Sequence, residues 1–313
     1  MIMTTLCTPY GKLNDVEFRS FHPNDKVEHC IARKPSPLKT PFGTLIPQYE
    51  AEDMGRRSLK PIYFHSDGSI KSMALQSQTI LSTPVGDIPA EFVTFHPNGS
   101  IRRLFPLDGK LSGFWSWKHE FALASTLNIP TPAGTLEAKI IALHFYESGA
   151  LKSVTLWPNQ KVNINTPFGL IEVRKGIAFY ESGALRSFEP SRKTALKTPI
   201  GTLMAYDNDP NGIHGDVNSV QLRESGAIAS LRTIDHAVRV MISHDEELFF
   251  EPGVKRNVCG DERKIQVPMS IRFDTSTVTF HENPRFSFDL TRHCFEILDS
   301  VKPANQPSYS CAG

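Results

Sequence analysis

The sequence predicts an all-β protein: an elongated antiparallel array of β-hairpins, meandering or solenoid-like, finished by a C-terminal β cap. Three observations carry this. A Thr-Pro-x-Gly turn recurs five times in closely similar form. A second turn, Phe-(His/Tyr)-x-x-Gly-x-(Leu/Ile), recurs four times between copies of the first. The C-terminal region alternates apolar and polar residues with a period of two. Self-similarity at a fixed period of about 20–50 residues signals a repeat architecture. Here the combined period is 32 residues, from Thr8 to Thr40 and again from Thr166 to Thr198.

The first turn reads "TPFGTLI" from Thr40, "TPVGDI" from Thr83, "TPAGTL" from Thr131, "TPFGLI" from Thr166 and "TPIGTL" from Thr198. Pro presets φ for a type I turn, and Gly accepts the positive φ that follows. A branched residue two places on (Leu45, Ile88, Leu136, Ile171, Leu203) opens the next strand.

The second turn reads "FHSDGSIKS" from Phe64, "FHPNGSIRR" from Phe95, "FYESGALKS" from Phe145 and "FYESGALRS" from Phe179, with weaker copies from Phe21 and Leu222. Both families fit a three-residue loop made of a type I turn and a left-handed Gly bulge. In the copy at 95–103 this pairs His96 with Ser100, Phe95 with Ile101 and Thr94 with Arg102. Phe64, Phe95, Phe145 and Phe179 then share a buried face with Ile70, Ile101, Leu151 and Leu185, as favourable cross-strand pairs. The two hairpin kinds are expected to alternate along one array over residues 1–235, with an insertion at about 104–130.

These Phe stretches resemble the bacterial variant of the MORN repeat, over roughly residues 1–235. The resemblance implies an elongated antiparallel β array with an interaction role, and it implies no catalytic residues. Three features depart from the pattern. The Gly-x-Trp of the better-known repeat is missing, Asp25 replaces the turn Gly in the first copy, and the alternating Thr-Pro-x-Gly hairpin is not typical.

Inside the insertion, Trp115, Trp117, His119, Phe121 and Leu123 alternate with smaller or polar residues, which is the period of a strand. Beyond 235 the clean repeat fades. Ile265, Val267, Met269, Ile271 and Phe273 alternate, as do Phe286, Phe288 and Leu290. Open arrays need an atypical end unit, so 236–301 reads as a β cap and 302–313 as a disordered tail.

The chain has 313 residues and a formal net charge of +1, which gives no global case for nucleic acid or membrane. Its five cysteines are scattered, which suits free thiols in a reducing compartment. The N-terminal stretch has neither a basic n-region nor a long apolar run. The expectation is a cytoplasmic protein with no cofactor or metal, whose partner is another protein and whose open sheet edges allow homo-oligomers.

Three sets of residues carry the functional readings. The first is a basic column, Lys71, Arg102, Lys152 and Arg186, three places past each turn Gly. It suits an acidic partner and supports the main reading, a non-catalytic interaction scaffold. The second is the aromatic stripe Trp115, Trp117, His119 and Phe121 within 114–123, a platform for a small molecule or carbohydrate. The third lies in 236–294, where His236, His244-Asp245-Glu246-Glu247, Cys259, Asp261, Glu262, His281-Glu282 and His293-Cys294 hold the residue types for hydrolysis or metal work without a matching spacing. A further column after the Phe (His22, His65, His96, Tyr146, Tyr180, Arg223, His281) reads as an amphipathic ring flanking the turns. Its members are too far apart for one zinc, the more so with a Thr-Pro hairpin expected between each pair.

Overall fold

The computed structural model describes residues 5–51, 59–108, 117–210, 215–256 and 264–300. As the turns predict, it is an antiparallel β-hairpin array. The two turn families do not alternate along one sheet, however. They sort into two layers.

Strands flanking the Phe turns form one large sheet. In it fifteen strands follow one another in chain order, from Val16–Phe21 at one edge to Ser287–Asp289 at the other. The Thr-Pro hairpins leave this sheet and cover one face of it. Four of them are two-stranded sheets of their own: Leu6–Thr8 with Gly11–Leu13, Leu38–Thr40 with Gly43–Leu45, Leu127–Thr131 with Gly134–Ala138, and Thr194–Thr198 with Gly201–Ala205. The other two are extensions of sheet strands that run on into the second layer, Ile70–Thr83 with Gly86–Phe95 and Lys161–Thr166 with Gly169–Phe179.

The core lies between the layers. Across the sheet, Met73, Val93, Leu104, Leu143, Val154, Ile177, Phe188, Val220, Leu231 and Ile271 are successive cross-strand partners, and all are buried. Leu13, Leu45, Ile88, Leu136, Ile171 and Leu203 of the Thr-Pro hairpins belong to the same core. The physical reason for the sorting is that a single-layered array would leave its apolar face in water. Folding every second hairpin back supplies the cover.

The turns differ accordingly. At the Phe turns the expected three-residue loop is present: the His96 N–H donates to Ser100 O at 2.9 Å and the Gly99 N–H to His96 O at 2.9 Å. Phe95 pairs with Ile101, but Thr94 pairs with Arg103, because a bulge takes up Arg102 as an extra residue. At the Thr-Pro turns the loop is tighter than expected. Thr40 pairs directly with Gly43, leaving two residues in the loop. The Thr side chain closes it: Thr40 Oγ1 donates to Gly43 O at 2.8 Å and accepts the Phe42 N–H at 3.2 Å. Thr8, Thr83, Thr131, Thr166 and Thr198 make the same two bonds.

The layers interlock at these tips. A Cβ on Gly149 would sit 3.5 Å from Pro84 Cγ, and one on Gly183 3.4 Å from Pro132 Cγ. Gly149 also has φ +89°. Gly149→Val is therefore expected to destabilise by about 1 kcal/mol or more, read as a lower denaturant midpoint, because a β-branched residue is strained in the left-handed region.

Phe64, Phe95, Phe145, Phe179, Ile70, Ile101 and Leu151 are buried and Leu185 is half-buried, so the shared face expected of the Phe and Ile/Leu positions holds, while the Thr94–Arg102 pairing does not. The aromatic stripe does not form a strand: Trp117–Leu123 is an α-helix. Its alternation includes an i, i+4 pair, and the Trp117 and Phe121 rings meet edge to face at 6.5 Å. Lys139 Nζ lies 4.4 Å over the Phe121 ring and donates to Phe121 O at 3.0 Å, near the C-terminal end of the helix. Trp115 lies outside the described residues.

In the C-terminal region, Met269–Phe273, Thr277–Phe280 and Ser287–Asp289 extend the large sheet. The alternation at 265–273 breaks at Pro268, and Lys264–Val267 pairs instead with Gly253–Arg256. His236–Met241, Glu247–Phe250 and Cys294–Asp299 form a separate three-stranded sheet. Its Phe250 stacks on Phe280 of the large sheet, with centroids 4.4 Å apart. Phe286 falls in a 3-10 turn and Phe288 is buried. Residues 302–313 lie outside the described residues. Among the described residues no helix is long and apolar enough to cross a membrane.

Candidate functional site

The candidate residues lie on the outer face of the large sheet, away from the Thr-Pro layer. Side chains alternate across a strand, so the row next to the apolar one faces outward. Its cross-strand partners are Ser72, Thr94, Arg103, His144, Ser153, Ala178, Ser187, Gln221 and Ser230. This row is polar except at Ala178.

Lys71, Arg102, Lys152 and Arg186 stand beside it. Each is the extra residue of a bulge just after its turn. They occur on alternate strands, so their backbones are about 9.6 Å apart. None of the four forms an ion pair with a described residue. Lys152 Nζ lies 5.4 Å over the Tyr146 ring, and the Arg186 guanidinium donates to Asp216 O at 3.4 Å. The expected basic column is thus brought onto one face.

Two neighbours were not legible from the motif. Arg103 follows Arg102 and is paired across the sheet with His144. His144 is 8% exposed, and its Nδ1 has no hydrogen-bond partner among the described residues. Burial, and then the charges of Arg103, Lys152 and Arg102, push its pKa down to about 3, against an opposing pull from Asp216. The imidazole is neutral in a positive field. The doubled Arg at 102–103 was the available sequence signal.

The column after the Phe turns has a structural role. His22, His65 and His96 each place Nε2 against the carbonyl of the Phe on the next hairpin, at 3.1, 3.2 and 3.1 Å, with the hydrogen on Nε2 since a carbonyl only accepts. The Tyr146 and Tyr180 hydroxyls donate to Phe179 O and Leu222 O at 2.9 and 2.8 Å, and Arg223 donates to Phe273 O at 2.5 Å. Successive Phe hairpins are direct neighbours in the sheet, not separated by a Thr-Pro hairpin. The spacing is therefore about 9.6 Å and not double that, still too long for two imidazoles on one zinc. His281 is separate: it packs against Phe250 with centroids 6.2 Å apart.

In the C-terminal region the chemically capable residues are dispersed. His236 Nδ1 accepts the Met204 N–H at 3.2 Å, His293 Nδ1 is 2.9 Å from Asp289 O, and Glu247 lies 3.6 Å from Arg239. His244, Asp245 and Glu246 are exposed, while Cys259, Asp261 and Glu262 lie outside the described residues. Among the described residues no group of three or more His, Cys, Asp or Glu is arranged to hold a metal ion.

Of the aromatic stripe, Trp117 lines a cleft of about 630 Å³ on the outer face. Phe121 packs edge-on against Trp157 at 6.1 Å, and His119 is exposed. The stripe is therefore not one platform. The cleft takes its aromatic walls from residues outside the stripe: Tyr63, Phe92, Phe105 and Trp157. No family model matches the chain, and neither a curated protein nor a solved structure matches it.

Proposed function

We propose that the chain is a non-catalytic interaction scaffold that holds an acidic partner protein along the outer face of its large sheet. The carrying observation is the row Lys71, Arg102, Lys152 and Arg186, one cation per hairpin, none of them ion-paired with a described residue. A charge without an ion-pair partner among the described residues, held on a rigid sheet, is available to an opposite charge at low ordering cost. The Phe hairpins' resemblance to the bacterial MORN variant supports the same role. The described cysteines, Cys7, Cys30 and Cys294, are free thiols, in keeping with a cytoplasmic setting.

The test is capture of partners from an extract of the native host by the wild type and by Lys152→Glu/Arg186→Glu, at low and moderate salt. Capture by the wild type is expected to fall as salt rises, since exposed charges are screened over about 10 Å at 0.1 M. The double variant is expected to capture little at either salt. Its melting temperature is expected to stay close to that of the wild type, because neither half-exposed cation is ion-paired with a described residue. Equal capture by both proteins at both salts would reduce the row to a solvated face.

A further inference from the structure

The outer face of the large sheet is roofed in two places, and the two roofs differ. Residues 215–218 lie directly against strands Leu151–Leu156 and Leu185–Pro190. The Gly215 N–H donates to Thr155 Oγ1 at 2.8 Å, and Asn218 Nδ2 donates to Ser187 Oγ at 2.8 Å. A Cβ on Gly215 would lie 2.2 Å from Val154 O, so this roof leaves no space. Over strands Gly86–Phe95, Ile101–Phe105 and Ile140–Phe145 the cover includes the helix Trp117–Leu123, and a cleft of about 630 Å³ remains.

The surfaces beneath the roofs differ in kind as well. The sealed roof lies on hydroxyls and amides. The open one faces Phe92 and Phe105, cross-strand partners with rings 5.6 Å apart, with Ile141, Trp117 and Trp157 around them. Half-buried aromatic side chains at positions where the rest of the face is polar are costly to leave wet. Small-molecule sites run from roughly 300 to 1,000 Å³, are mostly apolar, and carry a few polar groups. This cleft fits each point. In its lining, Lys60 and Asp108 are joined to each other at 2.7 Å, and Glu120 is buried. Trp157 is 6% exposed, and its Nε1–H has no hydrogen-bond acceptor among the described residues.

We propose that this cleft binds a neutral, planar, apolar molecule of one or two fused rings that carries a single hydrogen-bond acceptor. The rings would stack against Phe92, Phe105 and Trp117. The acceptor would meet the Trp157 N–H, whose nitrogen is buried, once the indole turns it toward the cleft. A sugar is the wrong class. It brings a hydroxyl on nearly every carbon, and most of these would face Phe92, Phe105, Ile141 and Trp157 with no partner. The site is separate from the cation row, and neither proposal depends on the other.

The probe is prodan, a neutral naphthyl ketone whose emission shifts to the blue in apolar surroundings, added to the full chain. One saturable site with a blue shift is expected. Ile141→Trp puts bulk into the cleft and is expected to weaken binding about tenfold or more, with the melting temperature maintained as evidence of folding. Trp157→Phe keeps an aromatic wall, removes the N–H, and is expected to weaken binding several-fold. Glucose in large excess is expected to leave the prodan signal unchanged. Absence of a saturable blue shift, undiminished binding by folded Ile141→Trp or by Trp157→Phe, or displacement of prodan by glucose would each overturn the proposal.

Discussion

Phe179→Ala is expected to lower the free energy of unfolding by about 3–5 kcal/mol. Phe179 is fully buried and sits at the end of Gly169–Phe179, a strand that belongs to both layers. Its ring shares a face with Leu185 across the Phe turn, and Pro132 and Pro167 of two Thr-Pro tips border the same groove. Deleting the ring would leave a void bounded by both layers. Collapse onto it from one side is opposed by the backbone, because Phe179 O holds the Tyr146 hydroxyl at 2.9 Å. Leu185→Ala, at a half-buried neighbour, is expected to cost less. Urea titration reads the effect as a fall in midpoint at unchanged slope. A change below about 1 kcal/mol would mean that the Phe column does not carry the interlayer core.

How far the sequence discloses this architecture depends on the element. The turn glycines and the Phe/Ile register were legible because each copy carries its own local chemistry. Gly43, Gly86, Gly99, Gly134, Gly149, Gly169, Gly183 and Gly201 all have positive φ, between +85° and +124°. The sorting into two layers was not legible. A hairpin with one apolar face has the same pattern whether it lies in the sheet or on it, and only long-range pairing decides. The clamp made by the threonine of Thr-Pro-x-Gly was not legible, since a β-branched hydroxyl suits a strand as well as a turn. The helix at 117–123 was missed because Trp117 and Phe121 satisfy spacings of two and of four alike. On the outer face, the cations were legible by repetition. Arg103, His144, Phe92, Phe105 and Trp157 were not, because they lie outside the repeated motif.

Glu189 is expected to make stability fall between pH 4 and pH 8, and Glu189→Gln to remove that fall. The carboxyl is fully buried. Ser219 donates to Oε2 through its N–H at 2.8 Å and its hydroxyl at 2.6 Å, while Oε1 has no hydrogen-bond partner among the described residues and lies 3.8 Å from Arg174 Nη2. Burial raises its pKa from 4.5 to about 7; the Ser219 bonds and Arg174 oppose the rise, and Asp207 adds to it. Asp207 is itself paired with Arg232 at 3.2 Å, so the surrounding charges are largely matched. The folded chain thus holds a proton that the unfolded chain has released. The stabilisation is complete below the unfolded value and is lost as pH rises through the folded one. The shift corresponds to about 3 kcal/mol. Gln keeps the carbonyl that Ser219 needs and cannot ionise. Unfolding free energies of both proteins, measured by urea at pH 4 and pH 8, are expected to converge on this result: the stability of the wild type relative to Glu189→Gln falls by about 3 kcal/mol over the interval. Parallel pH profiles for the two proteins would place the origin of any acid stability elsewhere and would mean that Glu189 titrates alike in the folded and unfolded chains.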